Sequence, residues 1–114
     1  MPRREWQLRV EDILDAIGRI ERYTAGMTFE TFVADDKTVD AVARNFAIIG
    51  EAVRYIPATV QRRYPRIPWA KMRAMRKVVI HQYPEVDLAV VWDTTQDDLR
   101  PLVPMLQEIA AGER

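Results

Sequence analysis

One stripe of side chains constrains this chain more than any other feature. Val39, Val42, Phe46, Ile49, Val53 and Ile56 alternate in steps of three and four, which at 3.6 residues per turn places them all on one face of a helix. A face that apolar must pack against other helices, so the stripe is the seam of a bundle. Asp35 or Asp36 is positioned as its N-cap and Pro57 ends it. A second stripe, Val10, Ile13, Leu14, Ile17 and Ile20, predicts a helix over about Arg4 to Tyr23 that stops near Gly26. Asp15 and Arg19 form a favourable pair four apart on its wet side.

The remaining elements are shorter. A turn of helix is expected over Thr28 to Val33, and the three prolines between Pro57 and Pro68 mark a connector with room for a single turn. A third helix should start at Pro68 or Trp69, run through Met72, Met75 and Val79 towards His81, and be limited by Pro84. Asp87 can cap a stretch carrying Leu88, Val91 and Trp92. Pro101 and Pro104 break the pattern of Leu99, Leu102, Leu106 and Ile109, predicting a kink or a restart capped by Asp97 or Asp98. No segment alternates with period two. The expected fold is all-α, an antiparallel bundle of four to five helices in one domain over residues 1–114.

Composition narrows the chemistry. Cysteine is absent, which excludes disulfides, thiolate metal sites and a thiol nucleophile. A single His leaves no conventional zinc centre. Asp35, Asp36 and Asp40 could gather round Mg²⁺, but their place at a helix start favours capping. With four glycines there is no Gly-rich phosphate loop. The longest apolar run, Leu88 to Trp92, is too short to span a bilayer, and the basic start Met1-Pro2-Arg3-Arg4 is followed by Glu5, Glu11 and Asp12 instead of an apolar signal core. The expectation is a cytoplasmic protein without cofactor, metal or membrane contact.

The 17 basic and 17 acidic side chains cancel, yet their placement is lopsided. From Ala52 to Pro84 there is no Asp or Glu, against eight cations: Arg54, Arg62, Arg63, Arg66, Lys71, Arg73, Arg76 and Lys77. Such a segment creates a positive potential suited to phosphate. A solvated basic face or half of a protein contact would produce the same pattern. Glu51, just before the acid-free run and among apolar residues, either balances an Arg or faces a site.

Within that run, Arg76-Lys77-Val78-Val79-Ile80-His81-Gln82-Tyr83 is the constellation with a chemical shape. On a regular helix Arg76 and Tyr83 share a face to within ~20°, and His81 sits ~140° round and ~7.5 Å along from Arg76. An imidazole, which ordinarily titrates near pH ~6.5, can exchange protons at neutral pH, and a guanidinium can hold a phosphodiester. The bland reading is a His that complements the C-terminal dipole of its helix.

The spacing of Arg76, His81 and Tyr83 resembles the signature of the HepT-like branch of the HEPN superfamily. Ile67-Pro68-Trp69 with Met75-Arg76, then Val86-Asp87-Leu88 and Val91-Trp92, is similar to that family's third and fourth helices. Asn45 with Gly50-Glu51-Ala52 resembles its second helix, and Asp98-Leu99 with Pro101-Leu102 its tail. The resemblance implies a homodimeric bundle in which both Arg-His motifs meet across a two-fold cleft. It implies a toxin of a toxin–antitoxin pair, a metal-independent endoribonuclease, with an MntA-type nucleotidyltransferase as antitoxin. Carried over by residue, Arg76 would hold and polarise the scissile phosphate. His81 would serve as general acid or base while the RNA 2′-OH attacks. Tyr83 would receive AMP from the antitoxin, and Arg73 and Lys77 would contact RNA phosphates. Lys77 departs from the small polar residue, commonly Asn, that follows the Arg in the family, and adds phosphate affinity in its place. The alternative implied by the same likeness is a non-catalytic nucleotide-binding or scaffold protein partnered with a nucleotidyltransferase.

Overall fold

A computed structural model describes residues 5–77 and 87–112. The first long helix, α1 (Glu5–Thr24), buries Val10, Ile13, Ile17 and Ile20, the stripe its periodicity demands. Its last turn is closed by Thr24, whose hydroxyl donates to the Ile20 carbonyl at 2.9 Å. Gly26 then takes φ 76°, a left-handed conformation that favours glycine and turns the chain away. Thr28 caps the short α2 (Phe29–Val33) through a reciprocal box with Thr31. Asp35 caps α3 (Asp36–Val53), its Oδ1 accepting from the Thr38 N–H at 3.1 Å. That hydrogen bond from the Thr38 backbone holds the Asp35 carboxyl below its ordinary pKa.

α1 and α3 pack antiparallel. Near one end the Arg9 guanidinium lies 4.3 Å from the Tyr55 ring centroid; towards the other, Arg19 Nε donates to Asn45 Oδ1 at 2.8 Å. Asn45, buried, spends its amide N–H on the Ala41 carbonyl, so this polar tie inside the seam is satisfied. The predicted seam is buried throughout. It outlasts the helix, however: α3 ends at Val53, and Ile56 reaches the core from a turn in which its N–H donates to the Val53 carbonyl. The Gln61 side-chain amide donates to the carbonyls of Ile56 and Val53, closing that end.

Gln61 belongs to α4 (Ala58–Arg63), the turn of helix expected in the connector. Trp69 opens α5 (Trp69–Ala74), is buried, and donates its indole N–H to the carbonyls of Gln61 and Tyr64 at 3.1 Å each. It is therefore a core staple for the connector. The third helix leaves regular α geometry earlier than its periodicity suggests. After Ala74 the chain tightens into a single 3₁₀ turn, Met75–Lys77, at the point where it presses against α3. The expected continuation through Val79 to His81 lies outside the described residues.

Asp87 caps α6 (Leu88–Asp93) through the Ala89 N–H at 2.9 Å. Trp92 stacks at a tilt on Phe32 of α2, ring centroids 5.2 Å apart. The last helix restarts as expected, and its cap is the correction. Neither Asp97 nor Asp98 caps it; Thr94–Asp98 form a π turn, with Leu99 N–H donating to the Thr94 carbonyl. A side-chain cap is dispensable because Leu102 and Val103 donate to the carbonyls of Leu99 and Arg100, while Pro104 has no N–H to satisfy. The final helix, α7 (Leu102–Gly112), buries Leu102, Leu106 and Ile109 and packs on α1. Among the described residues there is no strand, and no helix is long and apolar enough to cross a membrane.

Candidate active site

Glycine decides where Arg76 sits. Gly50 lies on α3 opposite the 3₁₀ turn, and a Cβ built there would fall 2.5 Å from the Arg76 backbone N, 2.8 Å from the Arg73 carbonyl and 2.8 Å from the Arg76 Cβ. No side chain larger than hydrogen fits, so the turn rests directly on the α3 backbone. From that seat the Arg76 side chain enters an open cleft of about 580 Å³ between α1, α3 and the turn. Arg9 and Asp12 line it from α1, and Arg44, Ile48 and Glu51 from α3.

Glu51 is the next residue of α3, and its carboxylate is shared unequally. Arg54 Nη1 lies 3.0 and 2.9 Å from its two oxygens, within hydrogen-bond distance of both. Arg76 Nη1 approaches Glu51 Oε1 at 3.7 Å, close enough for attraction and too far for a hydrogen bond. The trio carries a net charge of +1, with the surplus on Arg76. All three side chains are about half exposed, and ion pairs so placed contribute only about 0–1 kcal/mol to folding. Their consequence is orientation: Arg76 is drawn towards one spot, and among the described residues no acceptor takes a hydrogen bond from its guanidinium. Arg9 is more occupied, paired with Glu5 at 3.6 Å and Asp12 at 4.0 Å and lying over Tyr55.

Of the residues named from sequence, Arg73, Arg76 and Lys77 are described, and they do not share one place. Arg76 is in the cleft. Arg73 turns to α4, where its Nη2 donates to Gln61 Oε1 at 3.4 Å, and Lys77 is exposed; neither lines the cleft around Arg76. His81 and Tyr83 lie outside the described residues. Glu51 does both things its position allows: it pairs with arginines and it faces the cleft. Among the described residues no three His, Asp or Glu side chains gather to hold a metal, and Asp35 is engaged as a cap. Arg9, Asp12 and Arg44 are cleft residues that no sequence motif singles out. Arg44, Ile48, Glu51 and Tyr55 do fall at helical spacing on the side away from the seam, a second stripe that could have been read.

The match to known proteins covers nearly all of this framework. Residues 13–109 match the family described as Ribonuclease HepT-like. A protein of Thermococcus cleftensis named "Probable ribonuclease HepT" is 45% identical over 93 residues, 82% of this chain and 84% of that protein. A "Putative RNase" of Methanocaldococcus jannaschii is 33% identical over 109 residues, covering 96% and 90% of the two chains. Another "Putative RNase", of Caldanaerobacter subterraneus subsp. tengcongensis, is 30% identical over 105 residues, covering 92% and 94%. No solved structure matches significantly. On this match, with its Arg76 cleft on an all-helical frame, the chain belongs to the ribonuclease HepT-like family.

Proposed function

We propose that the chain is the toxin of a toxin–antitoxin pair, a metal-independent endoribonuclease working in the cytoplasm. Its site is composite: Arg76 and His81 of two protomers converge across the two-fold cleft of a homodimer. An MntA-type nucleotidyltransferase antitoxin silences it by moving AMP from ATP onto Tyr83. The observation that carries the reading is Arg76 itself, seated against Gly50 and held 3.7 Å from Glu51 with donors to spare, in a chain of the HepT-like family. The relatives' names, which speak of ribonuclease and RNase, support the substrate class.

The chemistry follows from what these groups can do. Arg76 binds the non-bridging oxygens of a phosphodiester and stabilises the charge that builds on them. The RNA 2′-oxygen bonds to phosphorus as its proton passes to an imidazole. The bond from phosphorus to the 5′-oxygen breaks, and that oxygen leaves with a proton returned by His81. The products are a 2′,3′-cyclic phosphate and a 5′-hydroxyl, with no metal required for balance. AMP on Tyr83 adds bulk and negative charge that compete with RNA for the same guanidinium.

Incubation of purified protein with RNA in excess EDTA tests the reaction. Cleavage that survives chelation, yields cyclic phosphate ends and disappears in His81→Ala is the expected result. An intact dimer that leaves RNA untouched would refute the nuclease and favour the non-catalytic partner of a nucleotidyltransferase. Light scattering at micromolar concentration checks the dimer, and a monomer would remove the composite site. Mass spectrometry after co-expression with an adjacent nucleotidyltransferase gene should show adenylyl additions that vanish in Tyr83→Phe.

A further inference from the structure

Arg44 is a cation without a job in the fold. It is exposed, it lines the cleft that contains Arg76, and among the described residues it has no ion-pair or hydrogen-bond partner. Its neighbours are different. Arg9 is held by Glu5, Asp12 and the Tyr55 ring, and Arg54 is consumed by Glu51. Among the described residues Arg44 thus has no acid within ion-pair distance, and Arg76 shares its one acid, Glu51, with Arg54, so an under-compensated cation stands on each side of the cleft. Arg44 stands seven residues before Glu51 on α3, about 10 Å along the helix axis. Glu51 marks where Arg76 is anchored. That separation suits two phosphates of one strand better than a single phosphate gripped twice.

We infer that Arg44 is a second phosphate-binding residue, which holds the backbone of single-stranded RNA one or more nucleotides from the phosphate on Arg76. The inference rests on the reading of the chain as an RNA-cleaving protein and adds the direction in which the strand runs: from the 3₁₀ turn, across Glu51, towards the N-terminal half of α3. A contact of this kind reads charge and not sequence. Cleft dimensions agree, since about 580 Å³ lies within the ~300–1,000 Å³ of ordinary ligand sites and its open side admits a chain that continues beyond it. Ile48 lies between Arg44 and Glu51 along α3, lines the same cleft and gives the intervening nucleotide an apolar floor.

The test measures binding apart from cleavage. A fluorescein-labelled 12-nucleotide 2′-O-methyl RNA, which has no 2′-hydroxyl to attack, is titrated with the intact protein between about 50 and 200 mM KCl. Neutralising one phosphate of a single strand contributes about 0.7 to the slope of log K against log salt. Arg44→Gln should therefore flatten the slope by about 0.7 and weaken binding about tenfold, the size of one charge-assisted contact. The loss should be equal on poly-U and poly-A strands, and Arg22→Gln, far along α1, should change neither quantity. With cleavable RNA, Arg44→Gln should raise KM and leave kcat nearly unchanged. An unaltered slope in Arg44→Gln, while the parent binds and cleaves, overturns the inference and leaves the nuclease reading standing. An unaltered slope together with dissociation of the dimer also overturns it, reassigning Arg44 to a contact between copies. A parent that neither binds nor cleaves RNA sinks both.

Discussion

Replacing Gly50 with alanine should injure the protein in two ways that arise from one clash. In an ordinary helix interior the change is favourable, by about 0.5–1 kcal/mol, because alanine loses less backbone freedom on folding. Here the new methyl would lie 2.5 Å from the Arg76 backbone N and 2.8 Å from the Arg73 carbonyl, atoms that cannot swing aside as a side chain would. Restoring ordinary contact at about 3.4 Å requires the 3₁₀ turn to retreat by about 0.9 Å. Overpacking of this kind costs about 1–3 kcal/mol, and three simultaneous close approaches put this case at the upper end. Set against the helix-propensity gain of about 0.5–1 kcal/mol, the net expectation is a loss of about 2–2.5 kcal/mol. Gly18→Ala is the matched control: it too lies within a long helix, but its Cβ would meet only the Arg22 guanidinium at 3.7 Å. It should gain about 0.5–1 kcal/mol. Urea unfolding of the two variants beside the parent measures the contrast, and their difference isolates the clash from propensity. Because the retreat carries Arg76 with it, cleavage should fall about 100-fold, the usual penalty for misplacing a reacting group by about an ångström. A Gly50→Ala protein as stable as Gly18→Ala and fully active would refute the argument that this glycine seats Arg76.

Three further outcomes can be checked alongside. Arg76→Lys and Arg76→Ala should both lose at least about 100-fold in RNA cleavage, since a point charge does not replace the fork; unfolding free energy should move by less than about 1 kcal/mol, as the ion pair it loses is half exposed. Trp69→Phe should lower stability by about 1–3 kcal/mol in urea titrations, because the carbonyls of Gln61 and Tyr64 lose their common donor. For Asp35 the folded carboxyl titrates below its ordinary value, so its stabilisation is complete above the unfolded pKa and lost as pH falls through the folded one. The melting-temperature gap between parent and Asp35→Ala should therefore be constant near neutral pH and shrink below about pH 4.

The long helices are legible because their signal is periodic and local. Six apolar positions from Val39 to Ile56 specify a buried face whatever they pack against, and Asp35, Thr28 and Asp87 announce helix starts through side chains that reach only their own turns. The departures fall where tertiary contact overrides local preference. Met75 continues the helical spacing of Met72, yet the chain tightens there because it has met Gly50, a residue 25 positions earlier in sequence. Asp97 and Asp98 look like caps, but a π turn and Pro104 remove the need for one. Glu51 is conspicuous as an acid beside an acid-free run; that Arg54 binds both its oxygens while Arg76 approaches one of them depends on a turn brought in from elsewhere.

The same separation explains why the basic run misleads as a map of the site. Of its eight cations, Arg54 is spent on Glu51, Arg73 reaches Gln61, and Arg76 enters the cleft. Two of the cleft's three arginines, Arg9 and Arg44, come from the half of the sequence rich in acids. On the proposed reading, phosphate affinity is a property of convergence, and charge density along the chain only supplies the surrounding potential. Exposed members of the run such as Arg62 and Arg66 act on a strand in the cleft through solvent, where attraction fades over the ~8–10 Å Debye length. Losing one of them should slow association at low salt and change little at about 200 mM. If Arg44 contacts the strand as inferred, removing it should still weaken binding at that higher salt, because a contact displaces water that a distant charge leaves in place.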